Sequence, residues 1–377
     1  MNKALLILIV LITLKTEAQT SVLQHADSLY LNGNYSKAIK QYKTLSKTEE
    51  VFDKIAKAYI AIGNYDAALE YYQKSLEANP DDALVKYEYA KLLSKTKKFK
   101  EASTQFNELV YIDYKNPNYH YELGLALEAL NDSTAMNRFR SAYDLDQTHQ
   151  KAIYKIARYY VKKRAYEQAE YFINKGLESY ENNVSLISLK AQNYYNKDDY
   201  KNSKIWFHKL VQLGESSEFI HVKLSVIHAE LSEYEEAIEQ RKRALNFNPY
   251  DSNGLFLIGT YYERLNDYEN AEKYILQCLK LKDVPLDYEY QKLGTIYNRQ
   301  QKYKEAIASF QTALKENPDN INSAFYMVVS KDKYYADTDA KIKLYEDFKT
   351  QYPESFYVKL ANMRLQELKE EKFMNED

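Results

Sequence analysis

Cysteine, proline and glycine are all scarce in this chain, at 1, 6 and 8 of 377 residues. The lone Cys278 permits no internal disulfide and no cysteine pair for a zinc or redox site. With so few residues to punctuate it, the chain is poorly suited to a many-stranded β fold and well suited to helices joined by short turns. An excess of one charge is missing as well: Lys+Arg 52 against Asp+Glu 54 leaves a net −2. That excludes the positive surplus with which nucleic-acid binders displace counterions. The apolar run Ala4–Leu14 would rise only about 16 Å as a helix, roughly half the hydrocarbon thickness of a bilayer.

Catalytic signatures are absent too. No His-Glu-x-x-His, phosphate-cradling Gly-rich loop or Gly-x-Ser-x-Gly elbow occurs. Of the histidines His25, His120, His149, His208, His221 and His228, only His221 and His228 share a helix face. They are two turns or about 10 Å apart, too far to share a metal. The expectation is a protein that is not an enzyme and holds no cofactor or metal.

What is present begins with a leader. Lys3, the apolar run Ala4–Leu14 and the small residue closing Thr16-Glu17-Ala18 read as a secretory signal over 1–18, cleaved after Ala18. No cysteine stands directly after the apolar run, so a lipoprotein anchor is not expected. The mature chain is expected in the periplasm of a Gram-negative-type envelope, or secreted. The 45% apolar fraction excludes a disordered chain, and 39 tyrosines need somewhere to go.

Self-similarity supplies the architecture. An aromatic-x-x-Ala anchor recurs at Tyr35/Ala38, Tyr65/Ala68, Phe99/Ala102, Tyr166/Ala169, Tyr234/Ala237, Tyr268/Ala271 and Tyr303/Ala306. Degenerate copies fall at Ala135, Tyr200/Ser203 and Ala340, so that successive steps are 30, 34, 33, 34, 34, 34, 34, 35 and 34 residues. A period near 34 means a solenoid. Twelve residues before most anchors stands a small residue, as at Ala56, Ala90, Ala157, Gly259 and Gly294, with Gly124 one residue closer. Three beyond the small residue comes a larger one, usually Tyr: Tyr59, Tyr160, Tyr194, Tyr262 and Tyr297. Each repeat is therefore two helices that approach at small residues, with aromatics filling the space to the next pair. Most of the tyrosines are expected at these packing positions, and Cys278 inside one of the helix pairs.

The chain resembles the tetratricopeptide repeat family over about residues 19–353. The match is fullest at Tyr290-Gln291-Lys292-Leu293-Gly294-Thr295-Ile296-Tyr297, followed by Tyr303, Ala306, Phe310, Ala313 and Pro318. The resemblance implies an all-α, right-handed α-solenoid superhelix of about ten helix-turn-helix repeats. The segment 354–377 is expected to cap it, with Phe356, Leu360 and Met363 as the apolar stripe facing the last repeat.

In that family the first helix of each repeat lines the inner groove. Carried onto this sequence, the groove would hold Tyr87, Tyr121 and Tyr154 at equivalent positions, beside Lys91, Lys151, Lys155, Arg158 and Lys162. Such a tyrosine ladder with a basic band suits an extended, acidic peptide segment of another envelope protein. The chaperone-tail clamp is not expected, because its Asn positions hold Asp27, Lys57, Lys91, Leu125 and Arg158. The function expected is a non-enzymatic interaction scaffold. The alternatives are a glycan or cell-wall binder using the same tyrosines, and a non-catalytic subunit that positions an enzyme. The apolar terminal repeats leave room for a homodimer, and no membrane span is expected after cleavage.

Overall fold

The computed structural model of the protein describes residues 21–45, 47–281, 286–335 and 337–375. The leader expected over 1–18 lies outside them. The described residues form helices with no strand among them, and the chain divides into two compact units, Met1–Leu189 and Lys190–Asp377.

The first unit is a stack of helical hairpins: α1 (21–31) with α2 (Tyr35–Tyr42), α3 (Phe52–Ala61) with α4 (Tyr65–Ala78), α5 (Ala83–Lys95) with α6 (Phe99–Ile112), α7 (Pro117–Ala129) with α8 (Ala135–Leu145), and α9 (Gln150–Lys162) with α10 (Tyr166–Ser179). The division falls inside α11 (Val184–Asn196). The second unit continues with α12 (Tyr200–Gln212), then α13 (Glu218–Glu230) with α14 (Tyr234–Leu245), α15 (Ser252–Arg264) with α16 (Tyr268–Leu281), α17 (Asp287–Arg299) with α18 (Tyr303–Glu316), α19 (Ile321–Tyr334) with α20 (Thr338–Gln351), and α21 (Val358–Asn375). This succession of hairpins is the α-solenoid arrangement.

Local chemistry explains where the helices start and stop. Asn64, Asp82, Asp199 and Ser217 cap α4, α5, α12 and α13 by accepting backbone N–H bonds with their side chains. The turn inside each of the first nine hairpins closes with one residue in the left-handed region. In α5, for example, Lys98 N–H donates to the Leu93 carbonyl at 2.8 Å and Lys97 N–H to that of Ser94 at 3.1 Å. Gly33 and Gly63 fill this position in the first two turns, but Lys97, Asn131, Arg164, Asp198, Ser232, Asn266 and Gln301 fill it in the next seven. The low glycine count is thus met by seven non-glycine residues at a conformation that suits glycine best.

The small residues do what their spacing implies. A Cβ placed on Gly124 would lie 2.7 Å from the Phe139 ring, and one on Gly294 would lie 2.7 Å from that of Phe310. In these repeats the large side chain four residues past the anchor therefore packs directly on the small residue of the preceding helix. Where the anchor is Ser203, its hydroxyl donates to the Ala191 carbonyl at 2.9 Å, so no polar atom is stranded in the buried gap.

Five of the tyrosines, with Phe172, form a recurring device between successive hairpins. Lys43 Nζ donates to Tyr59 Oη at 3.0 Å and lies 5.3 and 5.1 Å from the centres of the stacked Tyr59 and Tyr71 rings. Arg140 repeats it on Tyr160, which stacks on Phe172. Lys242 repeats it on Tyr262 and Tyr274. Each cation lies five residues past its anchor, and each pair of rings three past the next small residue and the next anchor. A cation over two stacked rings contributes about 0.5–2 kcal/mol.

Helix α21 caps the last hairpin, but not with the stripe expected. Ala361, Leu365 and Leu368 pack against Phe325, Val328, Tyr345 and Phe348, whereas Phe356, Leu360 and Met363 are exposed. Ala361 sets the packing face because a small residue allows close approach, the same rule that operates within the repeats. An ionic anchor reinforces it: the buried Asp332 accepts from Arg364 Nε at 3.0 Å and from Tyr345 Oη at 3.0 Å.

Candidate functional site

In the first unit the first helices of successive hairpins are tied together by ion pairs. Lys54 of α3 pairs with Asp27 of α1 at 2.8 Å, Lys91 of α5 with Glu122 of α7 at 2.8 Å, and Lys155 of α9 with Glu128 of α7. The second unit has an equivalent in Lys292 of α17 and Glu263 of α15, at 3.0 Å. The first helices thus share one face, and the eight residues singled out from sequence lie on or beneath it.

The three tyrosines lie mainly beneath. Tyr87 is half-buried, edge-on to Phe106 and tilted against Tyr119. Tyr121 is only 9% exposed and lies between Phe139 and His149. Tyr154 packs, half-buried, on the cluster containing Ile153 and Ile156. Burial pushes the Tyr87 and Tyr121 phenols up to about 12, and nearby Glu122 adds to it in both. Rings covered in this way leave little free face for stacking a sugar.

The basic residues divide into two sets. Lys91 and Lys155 are held by Glu122 and Glu128, and Lys57 pairs with Asp53 at 3.0 Å. Lys151, Arg158 and Lys162 are exposed along α9, and among the described residues they make no ion pair. Of these six residues, the three left unpaired therefore all lie on α9 and do not form a band across three helices.

Between α5 and α7, the latter tied to α9 through Glu128 and Lys155, opens a pocket of about 500 Å³. Ile60 of α3, Leu92 of α5, Phe99 of α6 and Leu125 of α7 supply apolar walls, with Glu88, Lys91, Lys95 and Glu122 among the polar lining. Lys95 reaches over the Tyr65 ring at 4.5 Å. Sequence reasoning missed this pocket, although one signal was available. One residue past the small position stand Lys57, Lys91, Leu125 and Arg158 in successive hairpins, and the single apolar member of that series lines the cavity.

A second feature missed lies in the other unit, where His208 of α12 meets His228 of α13 with their Nε2 atoms 3.3 Å apart. Comparing histidines along one helix could not bring together residues on consecutive helices. Among the described residues, no group of three or more His, Cys, Asp or Glu is placed to hold a metal ion, and no helix is long and apolar enough to cross a membrane.

Residues 59–124, 252–284 and 288–320 each match a family model described as tetratricopeptide repeat. A TPR repeat-containing protein of Methanocaldococcus jannaschii is 24% identical over 230 residues, covering 58% of this chain and 40% of that protein. One of Bacillus subtilis is 23% identical over 252 residues, covering 65% and 51%. The chain thus spans only about half, or less, of the length of these curated relatives. A crystal structure of a tetratricopeptide repeat protein from Parabacteroides merdae aligns over 75% of this chain and 98% of that one, at 13% identity and a TM-score of 0.46.

Proposed function

The chain is a tetratricopeptide repeat protein, and we propose that it is a non-catalytic scaffold whose first unit binds an extended, acidic peptide segment of a partner protein. Stacked helical repeats of this kind offer extended surfaces for protein partners. The observation that carries the finer reading is Lys151, Arg158 and Lys162 on α9: three exposed cations that make no ion pair among the described residues, one first helix along from an open pocket lined by α7. Carboxylates on a ligand would give them charge-assisted bonds. They would also compete with Glu128 for the neighbouring Lys155.

Export completes the proposal. The Lys3, Ala4–Leu14 and Ala18 pattern is that of a cleaved secretory leader, which puts the partner in the periplasm or outside the cell. Envelope extract passed over the native chain and over a Lys151/Arg158/Lys162→Glu chain, with retained proteins identified by mass spectrometry, tests the binding reading. A partner held by the first bait and lost from the second supports the reading. The same proteins on both baits would rule out this face.

A further inference from the structure

We propose that the pocket beside Leu125 takes one large apolar side chain, leucine or aromatic, of that same peptide, and that the peptide's acidic residues follow about three to five positions along the chain. The inference rests on the reading above and adds the ligand's sequence pattern.

Three observations lead to it. The first is the wall chemistry. Ile60, Leu92, Phe99 and Leu125 come from four different helices and converge on one open cavity of about 500 Å³, ample for a single side chain. The second is charge. Lys91 is bound to Glu122 at 2.8 Å, and Lys95 lies over the Tyr65 ring. Glu88, with no ion pair among the described residues, is the fourth charged group of the lining. Two acids and two bases cancel, so the lining offers a carboxylate no net positive charge. The cavity therefore favours a neutral apolar group, while α9 favours anions.

The third observation is register. Lys57, Lys91 and Arg158 occupy the position after the small residue in their repeats, and Leu125 takes it in α7. The row of cations is thus interrupted at the pocket. Neighbouring first helices pack at about 10 Å, and an extended peptide advances about 3.3 Å per residue. The pocket lies between α5 and α7, so from it to the Arg158 row of α9 is about one to one and a half helix spacings, a span of about three to five residues.

The probes are synthetic peptides of about twelve residues, read by fluorescence anisotropy on the full chain. The parent peptide has one phenylalanine followed, after a gap of about three residues, by a run of acidic residues. In one derivative the phenylalanine is replaced by serine, and in the other the acids are replaced by glutamine and asparagine. On the native chain the serine derivative is expected to bind about tenfold more weakly or worse, in line with the loss of one apolar side chain from a pocket. On Leu125→Lys the parent and serine peptides should bind alike. That variant is expected to fold, because Lys57 and Lys91 stand at the same position in their own helices, and circular dichroism checks it. If the serine derivative binds the native chain as well as the parent, while the amide derivative does not, the pocket proposal is overturned and the acidic-peptide reading stands. If the amide derivative binds as well as the parent, that reading itself fails.

Discussion

His208 Nε2 lies 3.3 Å from His228 Nε2, at a junction where three other hairpin pairs place a cation on an aromatic ring. Five residues past the anchor, where Lys43, Arg140 and Lys242 stand, this repeat has His208. Three past the small residue, where Tyr59, Tyr160 and Tyr262 stand, the next has His228. His228, 4% exposed, donates from Nδ1 to Glu233 at 2.6 Å, which leaves its Nε2 to accept from His208. A permanent cation has been exchanged for a group that titrates.

The exchange gives a pH dependence with a definite sign. Burial, then the proximity of His228 and Lys204, holds His208 below the ordinary histidine value; Glu233 opposes this and Arg243 reinforces it. The unfolded chain then binds more protons than the native one as pH falls below about 6.5. Stability contributed by neutral His208 is complete above that pH and is lost towards its lower native pKa. His149 contributes in the same direction in the first unit. It is held low mainly by burial, and its Nδ1 accepts from Ala152 N–H at 3.1 Å to cap α9. Melting temperature from pH 7.5 to 5 should fall for the native chain and fall less for His208→Lys/His228→Tyr, which restores the cation and tyrosine of the other junctions. Identical slopes would refute this account of the pair.

The left-handed turn residues yield a second prediction. Gln301 has φ 60° between α17 and α18, a conformation that costs a side chain about 1–2 kcal/mol relative to glycine. Part of that gain returns as backbone entropy. Gln301→Gly should therefore stabilise the second unit by about 0.5–1 kcal/mol, measured by urea denaturation, and a destabilised variant would contradict the turn analysis.

The anchor of α21 gives a third. Asp332 is 3% exposed and depends on Arg364 and Tyr345, with Lys341 at 3.9 Å. Removing one partner of a buried ion pair is costly, but Arg364 is about one quarter exposed (26%), which moderates the loss. Arg364→Ala should cost about 2–3 kcal/mol locally and speed amide hydrogen exchange in α21 well before it affects α13. Unchanged exchange in α21 would mean that Ala361, Leu365 and Leu368 hold the helix without the ion pair.

The hairpins were legible in the sequence because their signal is periodic. A small residue and an aromatic three positions on recur often enough to outweigh the degenerate copies at Ala135 and Ser203. The partners of those aromatics were not legible. That Lys43 or Lys242 lies on a tyrosine of the following hairpin depends on how repeats stack, which spacing along one helix does not reveal. The groove reading placed Tyr87, Tyr121 and Tyr154 at equivalent positions, but did not weigh how far Phe106, Phe139 and His149 would cover the first two. The cap was misread at Phe356, Leu360 and Met363 because an apolar stripe at helical spacing was taken as the packing face. Ala361 shows that close approach was the better guide.

The central claim is that α9 recognises carboxylates. Its most direct test is the affinity of the full chain for an acidic peptide and for the same peptide with every carboxylate replaced by its amide, at low and at physiological salt. The account predicts tighter binding of the acid form, an advantage that shrinks as salt screens the exposed charges, and its loss in Lys151/Arg158/Lys162→Glu. Equal binding of the two peptides at low salt would contradict it.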